Sequence, residues 1–143
     1  MKPSQSLPVF ICFLALCIGP VQAVPPKDST PDRDAILAER DKLGESAQAA
    51  LAAKRFDAAQ VKLQKIYELE RSVFGDAHEE LLGTLDFQAQ VAELAGDLDG
   101  VIKHRRAARK IGQALYGPDD YRLTDLSIAL KDAIDNQQRS PEM

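Results

Sequence analysis

Two histidines are the side chains of this chain that ordinarily titrate near neutral pH, and neither stands in a pattern that does catalysis. His78 opens the run HEEL, residues 78–81, but the second histidine that a helical zinc site needs four residues on is missing. A structural place at a helix start suits it better. His104 lies in KHRRAARK, residues 103–110, with no carboxylate beside it in sequence to orient it as a base. In that run Lys103, Arg106 and Lys110 share a helical face, which could meet an anionic surface or lipid. The plainer alternative is a solvated outer face balanced by Glu93, Asp97 and Asp99. There is no G-x-S-x-G, no glycine-rich phosphate loop and no tryptophan. No nucleophile, base and acid converge, so the chain reads as a non-enzyme with no metal and no cofactor.

Both cysteines, Cys12 and Cys17, fall inside an N-terminal apolar stretch. Residues 1–23 carry one early cation, Lys2, an apolar core from Val9 to Ile18 and the small residue Ala23 at the end, which reads as a secretory signal peptide cleaved after Ala23. The core is far shorter than the roughly 20 residues that span a bilayer. A lipoprotein site at Cys17 asks for a small residue before it, where Leu16 stands, so membrane association would follow only if Cys17 were lipidated. Cleavage would leave a thiol-free protein, secreted or periplasmic, with no disulfide. It would also remove one of 18 basic residues and none of 22 acidic ones, moving the formal charge from −4 to −5. That acidity argues against nucleic acid as a partner.

The elements that must position any site are helical. Residues 24–33, with three prolines, read as a flexible leader, and 137–143 as a disordered tail. Between them, 34–136 holds one proline, Pro118, and is rich in Ala, Leu, Glu, Gln, Lys and Arg. Five helices are expected, roughly 34–53, 57–74, 78–95, 99–115 and 119–136. Gly75 and Gly117 are placed to close helices at positive φ. Asp76 with Glu79 suggests a capping box for the third helix, Asp119 or Asp120 a cap for the fifth, and Asp57 and Asp99 starts for the second and fourth.

The chain also repeats itself. Phe74-Gly75 and Tyr116-Gly117 stand 42 residues apart, and at that shift Leu43, Ala47 and Ala50 fall on Leu85, Ala89 and Ala92. Ala59 and Ile66 fall on Val101 and Ala108. Spacings of three and four give each helix one buried stripe, with alanine where two backbones approach closely. A pair of antiparallel helices cannot bury its face alone and stacks on a neighbour.

With its AKRFDAA and AGDLDGV breaks and its FGDAH and YGPDD turns, the segment 34–136 resembles tetratricopeptide repeats, of the 42-residue kinesin-light-chain-like variety. It departs from that pattern where Ala77-His78 lacks a following proline and where Asp120 replaces a histidine. Val101 replaces a small residue, and Arg105 stands where Leu63 is apolar and must snorkel or find an acid. The resemblance implies an all-α fold of antiparallel helix pairs stacked as a short right-handed solenoid, two repeats and a closing helix.

It further implies a concave groove lined by the first, third and fifth helices. Groove positions map to Asp41, Gly44, Gln48 and Leu51, then Gly83, Asp86, Gln90 and Glu93, then Asp125, Ile128, Asp132 and Asp135. None of these is basic, which suits a protein or peptide carrying Lys or Arg. The function so implied is an exported interaction adaptor. The alternative is an assembly module that forms a homo-oligomer, or caps another repeat protein, through apolar end helices bearing Ile36 and Leu37 or Leu123, Leu126, Ile128, Leu130 and Ile134.

Overall fold

The structure, a computed structural model, describes residues 30–139. The expected signal peptide with Cys12 and Cys17, the first part of the leader and the last four residues of the tail lie outside the described residues. The described residues form five α-helices: α1 (Thr30–Ala52), α2 (Phe56–Phe74), α3 (Glu79–Ala95), α4 (Leu98–Leu115) and α5 (Tyr121–Arg139). Among the described residues there is no strand, and no helix is long and apolar enough to cross a membrane.

Several boundaries differ from expectation for local reasons. The first helix starts at Thr30 rather than Asp34, with Asp32 in its first turn at the positive end of the dipole. The last helix runs to Arg139, with Lys131 paired to Asp135 one turn on at 2.8 Å. The third helix is capped by His78 and not by Asp76: the His78 Nδ1 accepts from the Glu80 N–H at 3.2 Å while its ring stacks on Phe74 at 4.4 Å. Asp76 pairs instead with Arg71. Asp97, not Asp99, caps α4, accepting from the Gly100 N–H at 2.9 Å. Asp120 caps α5, accepting from the Arg122 N–H at 2.9 Å, whereas no side chain caps α2, which begins before Asp57.

The two turns of the repeat are made differently. Gly75 closes α2 at φ 87°, a region where a side chain is strained. Gly117 is not at positive φ; Tyr116 ends α4 in extended backbone, its N–H bonded to the Gly112 carbonyl.

Each helix packs on its successor along the chain, and the short connections make successive neighbours antiparallel. Burial follows the 42-residue register at most of the paired positions, though Leu43 is only partly buried where Leu85 is buried. Ala47 and Ala89 are fully buried, Ala50 and Ala92 nearly so, and Ala59 and Ile66 are buried as are Val101 and Ala108. The core is a row of three clusters: α1, α2 and α3 meet around Ala47, Leu63, Ile66 and Val91. Leu81 and Leu85 meet Ala108 and Ile111. Ala92, Val101 and Ile102 meet Ala133 of the last helix. Alanine recurs at the most buried positions, where an added methylene would be felt.

Candidate functional site

A groove of about 600 Å³ runs between α1 and α3, with α2 as its floor. Arg40, Asp41, Gly44, Glu45 and Gln48 line one side, Glu80, Gly83, Thr84 and Phe87 the other, and Leu63, Ile66 and Glu70 the bottom. The helical period places residues 41, 44, 45 and 48 on one strip of α1, and 80, 83, 84 and 87 on the facing strip of α3. Neither Gly44 nor Gly83 is a packing necessity, since a Cβ on either would meet nothing within 4 Å. Two helix-interior glycines therefore face open groove, each at roughly 0.8–1 kcal/mol of helix propensity relative to alanine.

The electrostatics centre on Glu70, which is 4% exposed. The Thr84 hydroxyl donates to its Oε2 at 2.6 Å, and Arg40 Nη1 stands 3.9 Å from its Oε1. Burial pushes the Glu70 carboxyl above its usual range; the Thr84 hydrogen bond and the Arg40 charge pull it back down, and Glu80 pushes it up. Arg40 is held mainly by Asp41, to whose Oδ1 it donates from Nε and Nη2 at 3.0 and 2.8 Å, and its Nη1 lies 3.6 Å from Glu80. That contact with Asp41 holds the Arg40 guanidinium above its usual range against partial desolvation.

The structure brings only part of the expected groove set together. Asp41 and Gln48 line this groove with Gly44 and Gly83. Asp86 and Gln90 form a local pair, Gln90 donating at 2.7 Å, and Asp86 also bonds Arg105 of α4. Arg105 thus finds an acid while remaining partly exposed. Glu93, Asp125 and Asp132 are exposed, and Asp135 holds Lys131. Three of the six acids expected on the groove face therefore already carry a cation: Asp41 from Arg40, Asp86 from Arg105, and Asp135 from Lys131. On α5, Leu126, Leu130 and Ile134 pack against the core, leaving Ile128 at 52% exposure.

Glu70, Thr84 and Arg40 were not among the residues the sequence pointed to. The available signal was Glu70 itself: it continues the 59, 63, 66 stripe of α2 at helical spacing, so a carboxylate occupies a core position. A larger hollow of about 800 Å³ lies on the opposite side, between α2 and α4, and His104 lines it with Glu68, Asp97 and Lys103. Burial lowers the His104 pKa, Lys103 adds to that, and Asp97 opposes it. His104 is only partly buried there, whereas Glu70 is almost wholly buried on the floor of the smaller groove, which makes that groove the stronger candidate. Among the described residues no cluster of three or more metal-ligating side chains occurs. Comparison of the chain with protein-family models and with curated proteins finds no match.

Proposed function

We propose that this protein is an exported interaction adaptor, built from two tetratricopeptide-type helix pairs and a closing helix stacked as a short right-handed solenoid, and that it binds an extended segment of a partner protein along the α1/α3 groove. Support for the stacking comes from the shared burial of Ala47 with Ala89 and Ala50 with Ala92, one repeat apart. Export rests on the composition of residues 1–23.

The observation that carries the binding proposal is the pair of facing glycines. Gly44 and Gly83 weaken their helices and fill no tight contact, yet they keep the space above Leu63, Ile66 and Glu70 free for another chain to approach. Asp41, Glu45 and Glu80 along the rim favour a basic segment and speed its encounter. One groove of this length presents a small face, so affinity of the order of micromolar is expected.

Panning a random peptide library on the protein, followed by chemical-shift mapping of the selected peptides, tests this. Selected peptides should be rich in Lys and Arg, perturb α1 and α3 around Gly44 and Gly83, and dissociate as salt rises. Filling the groove with Gly44→Leu and Gly83→Leu should abolish binding while the helical spectrum persists. Peptides that bind the filled variant equally well would place recognition elsewhere.

A further inference from the structure

The floor of the groove holds a buried carboxylate that accepts a hydrogen bond on one of its two oxygens. Glu70 Oε2 accepts from Thr84. Its Oε1 takes no hydrogen bond from the described residues, and Arg40 Nη1 at 3.9 Å lies outside hydrogen-bond range. Arg40 cannot fully neutralise what surrounds it, because the same guanidinium is bonded to Asp41 and stands near Glu80, and Glu45 lines the same groove. One cation thus faces Asp41, Glu70 and Glu80. A carboxylate mostly withdrawn from water in a region of surplus negative charge is raised in energy. Since no fully enclosed side-chain oxygen among the described residues lacks a hydrogen-bond partner, Oε1 opens on the groove, where a further positive group can reach it. The approach is open, since Gly44 and Gly83 leave the walls bare and Leu63, Ile66 and Phe87 offer an apolar lining for an alkyl stem.

We propose that Glu70 anchors one lysine or arginine side chain of the segment bound in the groove, and that Arg40 is the internal competitor for that carboxylate. This rests on the peptide-groove function above and names the side chain that the groove selects. The incoming ammonium or guanidinium donates to Oε1, a charge-assisted bond shielded from water. A neutral or acidic side chain at the same place would leave Glu70 unpaired beneath it, so selectivity arises from rejection as well as attraction. Arg40, released from Glu70, keeps its two bonds to Asp41.

The test uses the pentapeptide Ac-Ser-Ala-Lys-Ala-Ser-amide and its arginine and norleucine counterparts, titrated into the whole protein with the Glu70 carboxyl carbon and the Thr84 methyl followed by NMR. The lysine and arginine peptides should shift both signals saturably, with the norleucine peptide about tenfold weaker, the size of one hydrogen bond to a charged group. Glu70→Gln, which preserves shape and can still accept from Thr84, should remove the difference between lysine and norleucine. Arg40→Met should act in the opposite direction and tighten the lysine peptide.

Equal binding of lysine and norleucine peptides in the groove would overturn the anchor and leave the peptide-groove function standing. If none of the peptides, nor any selected from the library, perturbs α1 or α3, both fall together. Spermidine binding as tightly as the lysine peptide would reassign the pocket to a free polyamine and overturn its assignment to a protein segment.

Discussion

At the α2/α3 junction Glu70 meets Thr84; 42 residues on, at the α4/α5 junction, Gly112 meets Leu126. The contrast extends along both junctions. Gln88 is almost fully buried, its carbonyl accepting from Gln60 at 2.7 Å and its side chain reaching Gln64 at 3.4 Å. Its counterpart Leu130 packs with Val101, Ile102 and Ala133. At these positions the first junction adds hydrogen bonds to its apolar contacts and the second has apolar contact in their place, yet the helices meet in the same register. The space above each floor differs in the reverse sense. Gly44 and Leu63 leave the first groove open, whereas Asp86 and Arg105, standing at their places one repeat later, bond across the second. Shape and volume at these positions satisfy the fold, and the chemistry is free to vary, so a polar floor and an open groove can coincide at one end only.

The contrast is broken most severely by moving the carboxylate to the apolar junction. A Cβ on Gly112 would overlap the Leu126 Cδ1, and nothing at position 126 donates a hydrogen bond. Gly112→Glu should therefore lower unfolding stability by about 3–5 kcal/mol, the range for an uncompensated buried charge. Adding Leu126→Thr should recover about 1–2 kcal/mol by relieving the overlap and restoring a donor. Urea denaturation checks both. A single variant that loses under about 1 kcal/mol would mean that the two junctions do not differ in the way described.

A smaller effect follows from removing the donor where the carboxylate already stands. Thr84→Val should cost about 1.5–3 kcal/mol near neutral pH, since a charged acceptor loses its bond in a buried place. The sign of the pH dependence follows from Glu70, whose folded pKa is raised above the ordinary 4.5. Its charge is disfavoured in the fold, so its stability term is most favourable below the ordinary value and declines as pH rises through the folded one. The Thr84→Val deficit should accordingly widen from about pH 4 to about pH 7. Glu70→Gln should gain on the wild type over the same interval. A Thr84→Val deficit that stays constant across that range would show that Glu70 is not the group that titrates.

How much of this was legible in the chain follows from the same residues. The five helices were readable because apolar spacing and good helix formers run unbroken between glycine and proline breaks. The 42-residue register was readable because alanine recurs where backbones approach. Caps were less so: His78 displaced Asp76, and Asp97 displaced Asp99, because several polar residues compete within one turn and only geometry decides which reaches the free N–H groups. The groove was half readable. Asp41, Gly44 and Gln48 followed from the resemblance to tetratricopeptide repeats, but ion pairing draws in Arg40 and Arg105 from neighbouring positions, and a one-dimensional pattern does not report such partners. Glu70 stands in an apolar stripe, but a charged residue is hard to read as core because charge usually marks the solvated face.

The smallest expected effect bears most directly on why the first groove is open. Gly44→Ala and Gly83→Ala put methyl groups into space that holds no atom within 4 Å, so neither creates a clash. Each replaces a poor helix former by the best, and each should raise stability by about 0.5–1 kcal/mol, readable as an upward shift of the thermal midpoint. Glycine at two facing positions is therefore unexplained by folding alone. If the groove admits a chain, the double alanine variant should be the more stable protein and the weaker binder, because a peptide backbone running between α1 and α3 would meet both methyl groups. If the variant gains stability and binds the library-selected peptides undiminished, the openness over Leu63 is incidental. The contrast between the two floors would then reflect packing history and not recognition.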